Sequence, residues 1–137
     1  MTQGSGARDT GTVLLAPVSV GELIDKITIL QIKAERISDG AKRTNVLREL
    51  QALEGVRHAH GFDDFAALQA ELKAVNEVLW DVEDELRRLE AAQRFDARFI
   101  ELARSVYVTN DRRAALKKDI NLQAGSVMVE EKSYAGN

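Results

Sequence analysis

Phe65, Leu68, Leu72, Val75, Leu79, Val82, Leu86 and Leu89 are spaced three, four, three, four, three, four and three residues apart. Such a run of apolar a and d positions puts one narrow stripe along a helix and requires a second helix packed against it at a shallow angle. The spacing predicts an all-α fold, an antiparallel helical bundle built around a long heptad-patterned helix over about 64–93. Composition agrees: 30% of the 137 residues are charged, both signs are abundant and 45% are hydrophobic, which is the make-up of amphipathic helices rather than of a disordered chain.

The rest of the chain arranges itself around that helix. Residues 1–11 carry no pattern and read as a disordered tail, leaving one helical domain over 12–137. Thr12 to Val18 is an apolar, partly β-branched lead-in of extended character. Ser19-Val20-Gly21-Glu22 then has the spacing of a capping box, in which the serine oxygen accepts from one free helix amide and the glutamate reaches back to another. The helix that follows, about 20–38, carries Val20, Leu23, Ile24, Ile27, Leu30, Ala34 and Ile37 at the helical period. Ile29 and Ile32 widen its stripe, so it is covered on two sides, either centrally in the bundle or in a subunit interface. Ser38-Asp39-Gly40 is a turn, and a helix over about 42–58 turns Val46, Leu47, Leu50 and Leu53 inward before His58-Ala59-His60-Gly61 ends it. Asp63 or Asp64 is placed to cap the long helix. Gln93 takes the next a position, and Phe95-Asp96 either begins a fourth helix over about 96–121 or is crossed by a continuous rod. An inward stripe of Phe99, Ile100, Ala103, Val106 and Tyr107 continues through Asn110 and Ala114 to Ile120. Leu122 to Asn137 reads as an extended arm that pairs with the lead-in or lies along a neighbouring subunit.

Several function classes are disfavoured at once. The net charge is −3 and the basic residues are interleaved with acids, so no sign-segregated face points to nucleic acid. With no cysteine there are no disulfides, thiolate metal sites or thiol chemistry. His58 and His60 are the only histidines, they alternate rather than share a helical face, and neither a metal nor a cofactor is expected. Phosphate-loop and nucleophile-elbow motifs are missing. No apolar run approaches a membrane span and Met1 to Gly11 is unlike a signal sequence, so cytoplasmic residence is the expectation.

Two groups of residues can carry chemistry. On the fourth helix Tyr107, Asn110, Ala114, Lys117 and Asn121 recur every three or four residues at inward spacing, flanked by Arg104, Asp111 and Lys118. Polar groups in a dry core cost about 1–3 kcal/mol each when unsatisfied, so these are paired, solvated or functional. As a pocket they would bind an anionic or hydroxylated small molecule through Arg104 and Lys117, with Asn110 as donor and acceptor. As a structural feature they form an ion-paired seam, Arg104 with Asp111. On the third helix Asn76, Trp80, Glu83 and Arg87 make a second stripe beside the heptad seam. Trp80 either packs against a neighbouring helix or subunit or lines, with Arg87, the same pocket as the polar row. Glu77, Asp81 and Asp84 form an acidic row that reads as a solvated face. Among the charges of the first helix, Asp25 stands out, because on a helix apolar on two sides it faces inward, toward Arg104 or Lys117.

The strings VSVGELIDKITILQIKAERI (Val18 to Ile37), VNEVLWDVEDELRRLE (Val75 to Glu90), FDARFIELARSVYVTNDRRAALKKDIN (Phe95 to Asn121) and VEEKSY (Val129 to Tyr134) together resemble a small family of uncharacterised bacterial and phage proteins, a domain of unknown function. The resemblance implies that the polar row and the VEEKSY arm are family signatures and that partners lie among glycosyltransferase or surface-polysaccharide proteins. Glu22 to Ile32 is also faintly similar to the first helix of the all-helical chorismate mutases, which bind a dicarboxylate among arginines and lysines inside a dimeric bundle. Here the arginines do not fall at that family's spacing. Against the helical nucleotide pyrophosphatases, Glu101 is followed three residues later by Arg104 where their metal pairs place an acid.

Two functions therefore stand. The first is a non-enzymatic module that forms a homodimer through the heptad helix and the first helix and presents its C-terminal arm to a protein partner. The second is a binder or enzyme for an anionic metabolite or sugar, using Arg104, Tyr107, Asn110, Asp111, Lys117, Trp80, Arg87 and Asp25.

Overall fold

Ser19 opens the first helix with an extended backbone, its Oγ accepting from the Glu22 amide at 3.0 Å. In the computed structural model, which describes residues 11–128 and 131–134, α1 (Val20–Arg36) is followed by α2 (Gly40–Ala59), α3 (Ala66–Ala91) and α4 (Ala97–Ala124). Of the tail expected over residues 1–11, residues 1–10 lie outside the described residues, as do Val129, Glu130 and 135–137 of the arm.

Local chemistry explains most of the boundaries. Asp39 accepts from the Lys42 amide at 2.9 Å and starts α2; Gly61, at φ +74°, lets the chain turn after it. Neither Asp63 nor Asp64 caps α3, because Asp63 turns back to His58 (3.1 Å) and Arg57 (3.7 Å), and Phe65 stands at the cap without a side-chain bond. Gln93, at φ +56°, breaks the rod, and Asp96 caps α4 by accepting from the Phe99 amide at 3.4 Å, so α3 and α4 are two helices. Gly125 in the left-handed region ends α4 three residues past the expected stop at 121.

α1 lies at the centre and touches each of the other three helices. Its wide stripe divides into two faces. Leu23, Ile27 and Leu30 pack on Leu50, Val46 and Leu53 of α2, while Ile24 packs on Leu72 of α3 and Leu116 and Ile120 of α4. Full burial of one such side chain is worth about 1.5–3 kcal/mol. The directions follow from the contacts: Lys26 to Glu49 (2.9 Å) and Arg43 Nε to the Ala34 carbonyl (2.9 Å) set α2 antiparallel to α1. Arg112 to Glu71 and Arg98 to Glu85, both 2.9 Å, make α3 and α4 an antiparallel hairpin.

The heptad stripe of α3 is used within the chain, Leu72 and Leu89 buried and the positions between them half-buried. α4 answers it with a row that differs from the expected one. Leu102, Leu116 and Ile120 are buried and Phe99, Val106, Thr109 and Arg113 half-buried, a spacing of three and four, whereas Ile100, Ala103 and Tyr107 face solvent. Thr109 and Arg113 occupy seam positions, and their polarity displaces the apparent apolar stripe by about one residue, roughly 100° around the helix. At 1.5 Å per residue, α1 is about 25 Å long against about 39 and 42 Å for α3 and α4. The hairpin end, with Leu89 and Leu102 inside it, therefore extends past the last turn of α1, where Arg36 meets Asp81.

The two flanking segments emerge at the opposite end. No strand is present among the described residues. The lead-in stands clear of the helices with Val13, Leu14 and Leu15 exposed. Glu131–Tyr134 lies back along its own α4: Lys132 Nζ donates to the Asn110 carbonyl (3.5 Å) and lies 3.8 Å from Asp111, and Glu131 is 3.9 Å from Lys118.

Candidate functional site

The start of α1 is a closed junction. Gly21 sits so close to α4 that a Cβ there would lie 2.4 Å from the Lys117 carbonyl oxygen and 3.0 Å from Asn121 Oδ1. The missing side chain lets buried Asn121 accept from the Gly21 amide at 2.6 Å, and Ser126 Oγ accepts from the Val20 amide at 3.3 Å. Helix-start amides normally left free are thus bound by α4 and its C-terminal extension. Lys117, buried, reaches Glu22 at 2.7 Å. The glutamate consequently departs from the capping box, since a neighbouring ammonium offers a stronger hydrogen bond than a backbone amide.

One turn along α1, three helices meet at Asp25, which is 1% exposed. Arg113 Nε donates to Asp25 Oδ1 at 2.9 Å and Nη2 to Oδ2 at 2.5 Å, a two-pronged pair. Asn76 Nδ2 from α3 donates to Asp25 Oδ1 and to Thr28 Oγ1, both at 2.9 Å, and Thr28 Oγ1 donates to the Asp25 carbonyl at 2.7 Å. A buried ion pair adds little stability over apolar packing, because desolvation offsets the Coulomb gain, but it fixes which residues may face one another. Here it locks the registers of α1, α3 and α4 at one point.

Beside this node is an open cleft of about 370 Å³. Ile29 and Ile32 of α1 and Leu79 and Trp80 of α3 give it an apolar surface, Asn76 and Arg113 close its inner end, and Glu83, Asp84 and Arg87 form a charged outer part. Arg36 lies 5.7 Å from the centre of the Trp80 ring and donates to Asp81 at 2.6 Å; that hydrogen bond raises the arginine's pKa above its ordinary value. Two arginines against two carboxylates leave the lining without a dominant sign. The chemistry it offers is apolar contact first, with charge only at the edge.

The structure divides the sequence-derived residues between distinct places. Trp80 and Arg87 share the cleft with Asn76 and Glu83, so the second stripe of α3 is one surface. Asp25 is buried next to it, but its partner is Arg113 rather than Arg104 or Lys117. Lys117 belongs to the α1–α4 junction. Asn110 and Asp111 meet the C-terminal segment through Lys132, and Asp111 therefore faces that lysine. Arg104 and Tyr107 are exposed on the outer side of α4, and the polar row does not line the Trp80 cleft. Its two halves diverge because α1 covers only the C-terminal half of α4. Arg113 and Thr28 escaped the sequence reading, although Arg113 lies three and seven residues before Leu116 and Ile120, at seam spacing. Asp81 of the acidic row is engaged by Arg36, and no group of three acidic or histidine side chains suited to a metal occurs among the described residues. No described helix is long and apolar enough to cross a membrane.

Central helix, hairpin and cleft define a small all-helical bundle held in register by buried polar contacts. The chain belongs to the family of unknown function DUF6165, whose model matches residues 15–137. No curated protein and no solved structure matches it.

Proposed function

We propose that the chain is a non-enzymatic helical interaction module that assembles with a second copy and offers its C-terminal segment to a protein partner. The observation that carries this reading is the lead-in. Val13, Leu14 and Leu15 are 71%, 86% and 96% exposed, and Val18 is exposed beside them, directly before a helix start that is rigidly tied to α4. A contiguous apolar segment held in water at a fixed place is the mark of an interaction site. Val127, Met128 and Tyr134 add exposed apolar surface to the C-terminal segment. The ion pairs support the same reading, since buried Asp25 with Arg113 and buried Lys117 with Glu22 hold helices together. The resemblance noted above favours partners among glycosyltransferase or surface-polysaccharide proteins.

Sedimentation equilibrium on the full chain, on the chain lacking residues 1–17 and on the chain lacking 129–137 tests this. Self-association at micromolar concentration, lost with the lead-in and kept without the last residues, is the expected result. A monomer in all three sinks the reading. A second reading, an anionic metabolite held against Trp80 and Arg87, draws support from the cleft alone; quenching of Trp80 emission by added aromatic carboxylates at micromolar levels would favour it.

A further inference from the structure

One acceptor of the buried polar node is left over. Asn76 Nδ2 donates to Asp25 Oδ1 and to Thr28 Oγ1, both at 2.9 Å. An ionised carboxylate only accepts, so the nitrogen must be the atom that faces Asp25, and Oδ1 is turned to the other side of the amide. Among the described residues no donor reaches that oxygen, although Asn76 is only 6% exposed. Nor is the oxygen sealed in, since the sealed side-chain atom without a partner among the described residues is Arg57 Nε. The open space that Asn76 borders is the inner end of the Trp80 cleft. A buried side chain thus aims an unmatched acceptor into a recess walled by Ile29, Ile32, Leu79 and Trp80.

The chemistry of an occupant follows. Water at that oxygen meets apolar walls on its other sides and falls short of the roughly two to four polar partners that hold interior water in place, so a ligand with its own donor displaces it readily. Arg113 closes the same end but already turns Nε and Nη2 to Asp25, so the charge there is balanced, and a carboxylate head would meet an oxygen acceptor beside a second acid. The head group that fits is neutral and carries an O–H or N–H. The body that fits is apolar and flat, to lie against the half-buried Trp80 ring. A volume of about 370 Å³ is at the small end of ligand sites.

We propose that the cleft binds a small neutral aromatic molecule with a hydroxyl or ring N–H group, a phenol or an indole, whose donor meets Asn76 Oδ1 while its ring lies between Trp80 and the isoleucines of α1. This site goes beyond the self-assembly reading and does not depend on it, and its ligand differs in charge from the anionic metabolite considered above.

The chain has one tryptophan, so its indole N–H gives a single resonance. Isotope-labelled full chain is titrated with p-cresol, toluene and p-toluate, which share a ring and differ in the head group, while the Trp80 indole and Asn76 side-chain amide signals are followed. Saturable movement of both signals by p-cresol with one dissociation constant is expected, at least about tenfold below the constants for toluene and p-toluate, because an analogue without the donor leaves the acceptor unmatched. Equal affinities for the three overturn the proposal by showing an apolar recess without a head-group requirement. A preference for p-toluate overturns it in favour of the anionic reading, and signals that stay still at millimolar p-cresol overturn it outright. Ile29→Phe, which fills the recess from a half-buried position, is expected to abolish the p-cresol shifts with the helical circular dichroism unchanged. A folded variant that binds p-cresol as before places the ligand elsewhere and overturns the site; if the variant does not fold, the three-ligand comparison decides alone. Sedimentation of the same samples keeps the two readings apart, since a monomer that binds p-cresol retains this site and removes self-assembly.

Discussion

Two glycines in helices carry opposite predictions. At Gly21 a Cβ would meet backbone of α4, which has no rotamer to move, so Gly21→Ala is expected to destabilise by about 2 kcal/mol or more despite the gain in helix propensity. Gly55, in α2, has open space around it, and Gly55→Ala is expected to stabilise by about 0.5–1 kcal/mol. Urea denaturation of the two variants reads both signs. Arg113→Met leaves Asp25 buried without its main partner and is expected to cost about 3 kcal/mol, while Arg113→Met with Asp25→Leu recovers most of the loss; a double-mutant cycle that proves additive would show the pair to be uncoupled. The importance of Asp25 was legible in sequence, as an acid among isoleucines. Its partner was not, because choosing between Arg104, Arg113 and Lys117 needs the rotational phase of α4, and a charged seam residue is what obscures that phase. The close approach at Gly21 left a different impression, since a glycine after a serine looks like part of a cap until the opposing helix is placed.

Among the elements, the pattern of α3 was readable because its seam is apolar at every position. α4 was misplaced around its axis because Thr109 and Arg113 interrupt its own three-four row. The wide stripe of α1 announced cover on more than one side, and the bundle supplies it with α2 on one face and the α3–α4 hairpin on the other. The hairpin end beyond α1 has no third helix, and its outer contacts are ionic. The Arg98 hydrogen bond holds the Glu85 carboxyl below its usual pKa, and the Arg94 side chain, helped by the Phe99 amide, does the same for Asp96. A carboxyl with a lowered folded-state pKa contributes its stabilisation above its ordinary pKa and loses it as the pH falls through the folded value. Protection of amides 86–100, corrected for the intrinsic slowing of exchange in acid, is therefore expected to fall as the pH drops below about 4, ahead of the amides of the buried core, with salt diminishing the difference. Glu85→Gln should remove the response near Arg98; an unchanged profile would mean that these surface pairs do not hold the hairpin end.

For the molecule as a whole, the all-helical bundle could be read from periodicity, whereas the way the helices are shared could not. The heptad helix and the wide first helix, both natural choices for a dimer contact, are occupied inside the chain, and the longest contiguous exposed apolar run among the described residues lies in the lead-in. If self-assembly runs through that segment, deleting residues 1–17 should lower the association constant far more than the unfolding midpoint of the monomer, which a paired measurement of sedimentation and thermal denaturation checks. The amide of Val20 finds its acceptor on Ser126, 106 positions away, and that of Gly21 finds Asn121, 100 away. Contacts this remote delay folding, because a long loop must close before they repay its entropy. During synthesis α2 can seat on the Leu23, Ile27, Leu30 face of α1 as soon as it emerges, but the Ile24 face and the start of α1 wait in the nascent chain until α4 has left the ribosome. A chain cut short before Asn121 would leave that second face of α1 open to chaperones and proteases.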